Sequence, residues 1–157
     1  MTPAELITRK LKAMIESGGA TVPVYSLLLE ALEGERHETP SSGIGVNVHV
    51  SGQLEEPLPH YTFAVSVILT VSIDDDKGGQ LFVENYNALW GVFDWLARED
   101  NCAALGDEAD ELEDDLAHVF SVDGFQITDG DEPDYQTDEN GGSWTTSFAA
   151  TITGRAN

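Results

Sequence analysis

The chain has 157 residues, 41% of them hydrophobic, and sets 29 acidic side chains against 7 basic ones for a formal net charge of −22. That charge excludes sequence-independent binding to nucleic acid, which needs Lys and Arg to displace counterions from phosphates, and it disfavours an anionic membrane surface. The length fits a single domain over residues 1–157, and the apolar fraction is sufficient for a packed core. No apolar run approaches the roughly 20 residues that cross a bilayer. Met1-Thr2-Pro3-Ala4-Glu5 lacks a basic stretch followed by an apolar one, so no secretory signal is expected there. The single cysteine, Cys102, excludes an internal disulfide and a multi-cysteine zinc site, and points to synthesis in a reducing, cytoplasmic place.

Thr2-Pro3-Ala4-Glu5 has the form of a helix start: a capping hydroxyl, proline in the first turn, and a carboxylate to complete the box. Leu6, Ile7, Leu11, Met14 and Ile15 follow at helical spacing, and Gly18-Gly19 ends the run. Arg9, Lys10 and Lys12 fall on the polar side of this helix. Val22-Pro23-Val24-Tyr25 reads as extended, because the residue before proline is pushed out of the α region. Leu27 to Leu32 is compatible with one helical turn or two, and residues 33–43 read as a polar loop.

Ile44, Val46, Val48 and Val50 alternate with Gly45, Asn47, His49 and Ser51, a strand pattern. The clearest strand follows a loop containing Pro57 and Pro59. Tyr61, Phe63, Val65, Val67, Leu69, Val71 and Ile73 fall on one face, with Thr62, Ala64, Ser66, Thr70 and Ser72 on the other and Ile68 the exception. At ~3.3 Å per residue it would span about 40 Å, so part of it is expected to project beyond the body. Asp74-Asp75-Asp76-Lys77-Gly78-Gly79 reads as a turn. Phe82, Tyr86, Leu89, Phe93 and Leu96 then make a helical stripe, which Trp90 widens and Trp95 avoids. A second helix is expected from about Asp107, with Leu112, Leu116, Val119 and Phe120 inward. Val122, Phe125 and Ile127 read as a short strand, residues 128–142 as a polar loop, and Trp144, Thr146, Phe148, Ala150 and Ile152 as one face of a last strand. The order predicts an α+β domain whose antiparallel (or mixed) sheet has about four strands with helices packed on one face.

No constellation for catalysis or for a cofactor emerges. The acidic run from Asp129 to Glu139 lacks the spacing of an EF-hand and reads as a solvated loop rather than a calcium site. His37, His49, His60 and His118 form no zinc-ligand pair. Cys102 lies in an acidic stretch that raises rather than lowers a thiol pKa. The expectation is a protein that is not an enzyme and has no cofactor and no metal.

The C-terminal segment Asp134-Tyr135-Gln136-Thr137-Asp138-Glu139, a short gap, Trp144 and a long alternating strand to Thr153 resembles the ending of the tail-terminator and tail-completion proteins of long-tailed bacteriophages. The order of elements is similar too, although the extra acidic residues and the stretch from Val22 to Gly43 depart from that pattern. The resemblance implies a virion protein of the tail or neck, made in the host cytoplasm. It implies a homo-oligomeric ring, typically a hexamer, that caps the tail-tube protein and meets a head-tail connector while DNA passes through unbound. On that basis Arg9, Lys10 and Lys12 would pair with a neighbour's carboxylates or with those of their own chain. Asp74, Asp75, Asp76, Asp134, Tyr135, Asp138 and Trp144 would face partners. The competing expectation is an acidic DNA mimic that occupies a basic nucleic-acid-binding protein.

Overall fold

The computed structural model describes residues 2–54, 60–106, 120–130, 132–139 and 141–156. Thr2 accepts the Glu5 N–H at 3.2 Å and caps α1 (Pro3–Ser17), which buries Leu6, Ile7, Leu11 and Ile15. A two-residue strand, β1 (Val24–Tyr25), leads into α2 (Leu27–Glu33), whose cap is Ser26. Then come β2 (Gly43–Leu54), β3 (His60–Ser72) and α3 (Leu81–Ala97). A short 3-10 turn at Asn101–Leu105 precedes β4 (Phe120–Gly130), β5 (Asp134–Asp138) and β6 (Gly141–Ala156).

These strands form one six-stranded sheet in the order β1-β2-β3-β6-β4, with β5 beside the remaining length of β6. All pairings are antiparallel except β1 with β2. The fold is therefore α+β with a mixed sheet. The strand legible from Tyr61 to Ile73 is β3, and it is central. Phe63, Val65, Val67, Leu69 and Val71 are each no more than 2% exposed. Opposite them on β6 stand Ile152, Ala150, Phe148, Thr146 and Trp144. Phe93 of α3 closes the middle of the core, 5.5 Å from Phe125 and 5.4 Å from Phe148 between ring centres. Each large apolar side chain so buried contributes about 1.5–3 kcal/mol.

Among the described residues, α1 and α3 cover this face. On the opposite face Asn47, His49, Thr62, Ala64, Ser66, Thr70, Ser147, Ala149 and Thr151 bring no carboxylate, lysine or arginine to the middle of β2, β3 and β6, and charge enters at the margins, with Arg155 opposite His60, Asp134 opposite Thr145 and Asp129 opposite Ala149. Ile68, 38% exposed, is its large apolar exception.

The long strand is paired throughout: β2 accompanies it from Gly43↔Thr70 to Leu54↔His60, and β6 from Ser72↔Ser143 to His60↔Arg155. Three expectations are corrected. The sheet has six strands rather than about four. Most of the presumed loop at 128–142 is strand, because β6 is long enough to pair β5 from Asp134↔Thr145 to Asp138↔Gly141. Phe120 does not end a helix but begins β4, where its ring packs edge-on against Phe63 at 5.6 Å. Gly154 makes room for it, since a Cβ there would meet the Ser121 carbonyl oxygen at 2.7 Å. The rest of the helix expected from Asp107, with Leu112, Leu116 and Val119, lies outside the described residues.

Asn85 stands fully buried in the apolar stripe of α3. Its Oδ1 accepts the Thr21 N–H at 2.8 Å, and its Nδ2 donates to Thr21 Oγ1 at 2.9 Å and to the Leu81 carbonyl at 2.8 Å. It thereby fastens the segment after α1 to α3. Asn85→Ala leaves the Thr21 amide without that acceptor and is expected to lower unfolding free energy by about 1–3 kcal/mol, read from urea denaturation. An unchanged midpoint would show that water replaces the amide at no cost.

Candidate protein-interaction site

Three segments distant in sequence meet at the end of the sheet where β3 finishes. The Ile73 N–H donates to the Gly142 carbonyl at 2.9 Å, tying the turn after β3 to the start of β6. Ser41 and Ser42 donate their hydroxyls to Asp75 Oδ2 at 2.8 and 2.6 Å, and Ser42 Oγ accepts the Ser72 N–H at 2.9 Å. Asp76 Oδ1 accepts the Leu81 N–H at 2.8 Å and so does the capping that Gln80, at the N-cap of α3, does not. Asp74 is exposed on the same turn. The two hydroxyls, Ser42 foremost, hold the Asp75 carboxyl below its ordinary value.

On β5 and β6, Tyr135 lies directly opposite Trp144, with ring centres 5.1 Å apart. Trp144 reaches Phe82 of α3 at 6.1 Å, Phe82 stacks on Tyr86 at 5.8 Å, and Tyr86 meets Phe148 at 5.6 Å. A file of aromatic rings thus runs from the core to the surface. It ends in three exposed apolar side chains: Tyr135 (44%), Trp144 (38%) and Ile73 (43%). A Cβ at Gly142 would overlap the Tyr135 hydroxyl and meet Ile73 Cδ1 at 3.0 Å, so the side chains above it would have to shift. Asp134 pairs Thr145 and Asp138 pairs Gly141 on the same hairpin. The structure therefore joins the turn at Asp74–Asp76 to the start of β6 through Ile73 and Gly142, which sequence spacing holds far apart, and it sets Tyr135 and Trp144 on one face of the sheet and Asp134 on the other.

The N-terminal cations sit elsewhere, and they are matched within the chain. Arg9 bridges to Glu5 at 3.0 Å and to Glu33 at 3.6 Å, Lys12 bridges to Glu16 at 3.1 Å, and Lys10 Nζ donates to the Gly106 carbonyl. Arg9 and Lys12 also line a cavity of about 520 Å³ between α1, α2 and the loop to Pro40, walled by Pro23, Val24, Tyr25 and Leu29. In its lining is Glu30, buried, which pairs with Arg36 at 3.2 Å and accepts the His37 N–H at 3.2 Å. Sequence reading passed over Glu30; the available signal was one carboxylate set in the apolar run Leu27 to Leu32.

The other chemistry-bearing groups among the described residues lie apart from one another. Burial, with Asp100 and Asp123 adding their charge, pushes the Cys102 thiol up from its ordinary value, which disfavours the nucleophilic thiolate. His37 faces Glu35 at 3.6 Å, His49 lies on β2, and His60 opens β3, so these three share no centre; His118 lies outside the described residues. Among the described residues, no group of three or more His, Cys, Asp or Glu is placed to hold a metal ion. Among the same residues no helix is long and apolar enough to cross a membrane. A scan against protein-family models finds no match, and a search of curated proteins finds none either.

Two outcomes follow at this end of the sheet. Because the Asp75 pKa is lowered on folding, its contribution to stability is present above the ordinary value of 3.8 and is lost as pH falls through the folded value below it. Ser42→Ala removes the larger cause, so the Asp75 carboxyl followed by NMR should titrate closer to 3.8 than in the wild type; an unmoved midpoint would leave the hydroxyl without that role. Gly142→Ala should displace Tyr135 from Trp144, weakening the near-ultraviolet circular dichroism of the pair while far-ultraviolet dichroism stays the same. Identical near-ultraviolet spectra would mean that the rings tolerate the methyl group.

Proposed function

We propose that the chain is a structural, non-enzymatic virion protein that joins copies of itself into a ring, closes a phage tail tube and offers a surface to the head-tail connector. The observation that carries this is the margin of the sheet. β1 pairs β2 only at Ile44 and Gly45, so the rest of this 12-residue strand has no strand neighbour on that side among the described residues. From Gly43 to Leu54 it contains no charged residue and no proline, in a chain with 29 carboxylates. Edge strands of monomeric proteins are blunted by such residues, and an edge without them is suited to receiving another strand.

The opposite margin is different. β4 carries Asp123 and Asp129 and two shifts of register against β6, whereas β2 carries no acid and a single shift against β3, between Val50 and Gly52. Two unlike margins favour a heterologous contact between copies, the kind that closes into a ring when the rotation permits. A net charge of −22 suits a channel through which duplex DNA slides without being held. Order of elements, with an N-terminal helix before long paired strands and a closing strand that begins near Trp144, supports the same assignment.

Native mass measurement at low and high salt tests it. The wild type is expected to be a closed ring that caps tail tubes in electron micrographs and does not retain DNA. Val50, 47% exposed on β2, supplies the variant: Val50→Lys should give monomers with unchanged far-ultraviolet dichroism. A wild-type monomer that binds basic nucleic-acid-binding proteins with steep salt dependence would overturn the ring and establish the acidic DNA mimic instead.

A further inference from the structure

We propose that the outer side of α3 is a self-association surface, on which the same helix of a second copy lies antiparallel and crosses at Gly91. Neither margin of the sheet takes part, so the contact does not depend on how those margins join copies. Gly91 stands inside a 17-residue helix, where glycine lowers helix stability. The chain's own packing gives no reason for it. Gly91 is exposed, and among the described residues a Cβ there would meet no atom within 4 Å. At Gly18, by contrast, a Cβ would meet Val92 Cγ2 at 2.8 Å. A glycine that its own fold does not need is suited to the close approach of a second backbone. Apolar surface borders it. Trp95 is 45% exposed, and a groove of about 340 Å³ lined by Met14, Ser17, Gly18, Gly91, Val92 and Trp95 has no charged side chain, in a molecule of net charge −22.

The charges on this side of α3 identify a second copy as the occupant. Glu84 and Arg98 stand seven residues before and seven residues after Gly91. Seven residues make about two helical turns, so the three positions fall in one stripe, and all are exposed. In an antiparallel crossing centred on Gly91, Glu84 of each helix faces Arg98 of the other, and the two-fold axis makes that pairing twice. A parallel crossing would set like charges opposite each other. Among the described residues the Glu84 carboxylate has no hydrogen bond or ion pair. Arg98 reaches Asp94 through Nη2 at 2.6 Å, in a pair 69% and 53% exposed, and the guanidinium keeps further N–H donors for a second carboxylate.

Sedimentation equilibrium tests this in the Val50→Lys chain, whose lysine on β2 takes the sheet margin out of play. One helix crossing buries less than the ~1,200 Å² of a stable interface, so the contact should be absent at the dilution of native mass measurement and present at millimolar concentration. Dimers are expected there. Adding Gly91→Leu should give monomers at the same concentration. Leucine forms helix better than glycine and meets open space, so the urea midpoint should not fall. Glu84→Arg and Arg98→Glu should each weaken the dimer roughly tenfold, and the two together should restore it. A Val50→Lys chain that stays monomeric at millimolar concentration would overturn the proposal. So would dimers that survive Gly91→Leu, or a double exchange no stronger than the single ones, since the contact would then lie elsewhere. The ring is read from the wild type at low concentration, so the two readings fail separately.

Discussion

Burial of one side of β3 is the constraint from which the remaining architecture follows. Five side chains from Phe63 to Val71 must leave water together, so helices have to lie over that side and the strand has to be flanked over its length. α1 and α3 supply the cover, while β2 and β6 supply the backbone partners. β6 is longer than β4 requires: its last residues pair β4 and its first five pair β5. The exposed pair of Tyr135 and Trp144 exists because of that surplus, since Trp144 lies on the part of β6 that β4 does not reach.

An acid-rich chain also finds structural uses for its carboxylates. Asp76 accepts an amide at the start of α3, Asp75 fastens the loop before β2 to the turn after β3, and buried Glu30 receives both a guanidinium and an amide. In each case a carboxylate meets backbone or side-chain donors that would otherwise need water. The acidic composition is thus partly a property of the fold and not only of its surroundings.

Period-two alternation made β2, β3 and β6 legible, and helical spacing with a capping box did the same for α1 and α3, because in these segments one face is buried and the other is not. β5 was hidden because Tyr135 is its one large apolar residue and its pairing is decided by the length of β6, a property of the partner strand. Phe120 was misplaced because an apolar residue beside a charged run fits a helix as well as a strand until its neighbour across the sheet is known. Asn85 and Glu30 escaped notice because a polar residue in an apolar stripe announces its burial but not its partner. Of the candidate site, the individual segments were visible in the sequence. Their meeting through Ile73 and Gly142 was not, since contacts between distant residues leave no local pattern.

Arg9, Lys10 and Lys12 on α1 and Arg36 just beyond α2 are four of the chain's seven basic residues, and they lie on neighbouring elements of one flank. Each is answered inside the chain: Arg9 by Glu5 and Glu33, Lys12 by Glu16, Arg36 by Glu30, and Lys10 by the Gly106 carbonyl. Arg9 thereby ties α1 to the end of α2, so these scarce cations are spent on the cohesion of their own chain before any neighbour arrives.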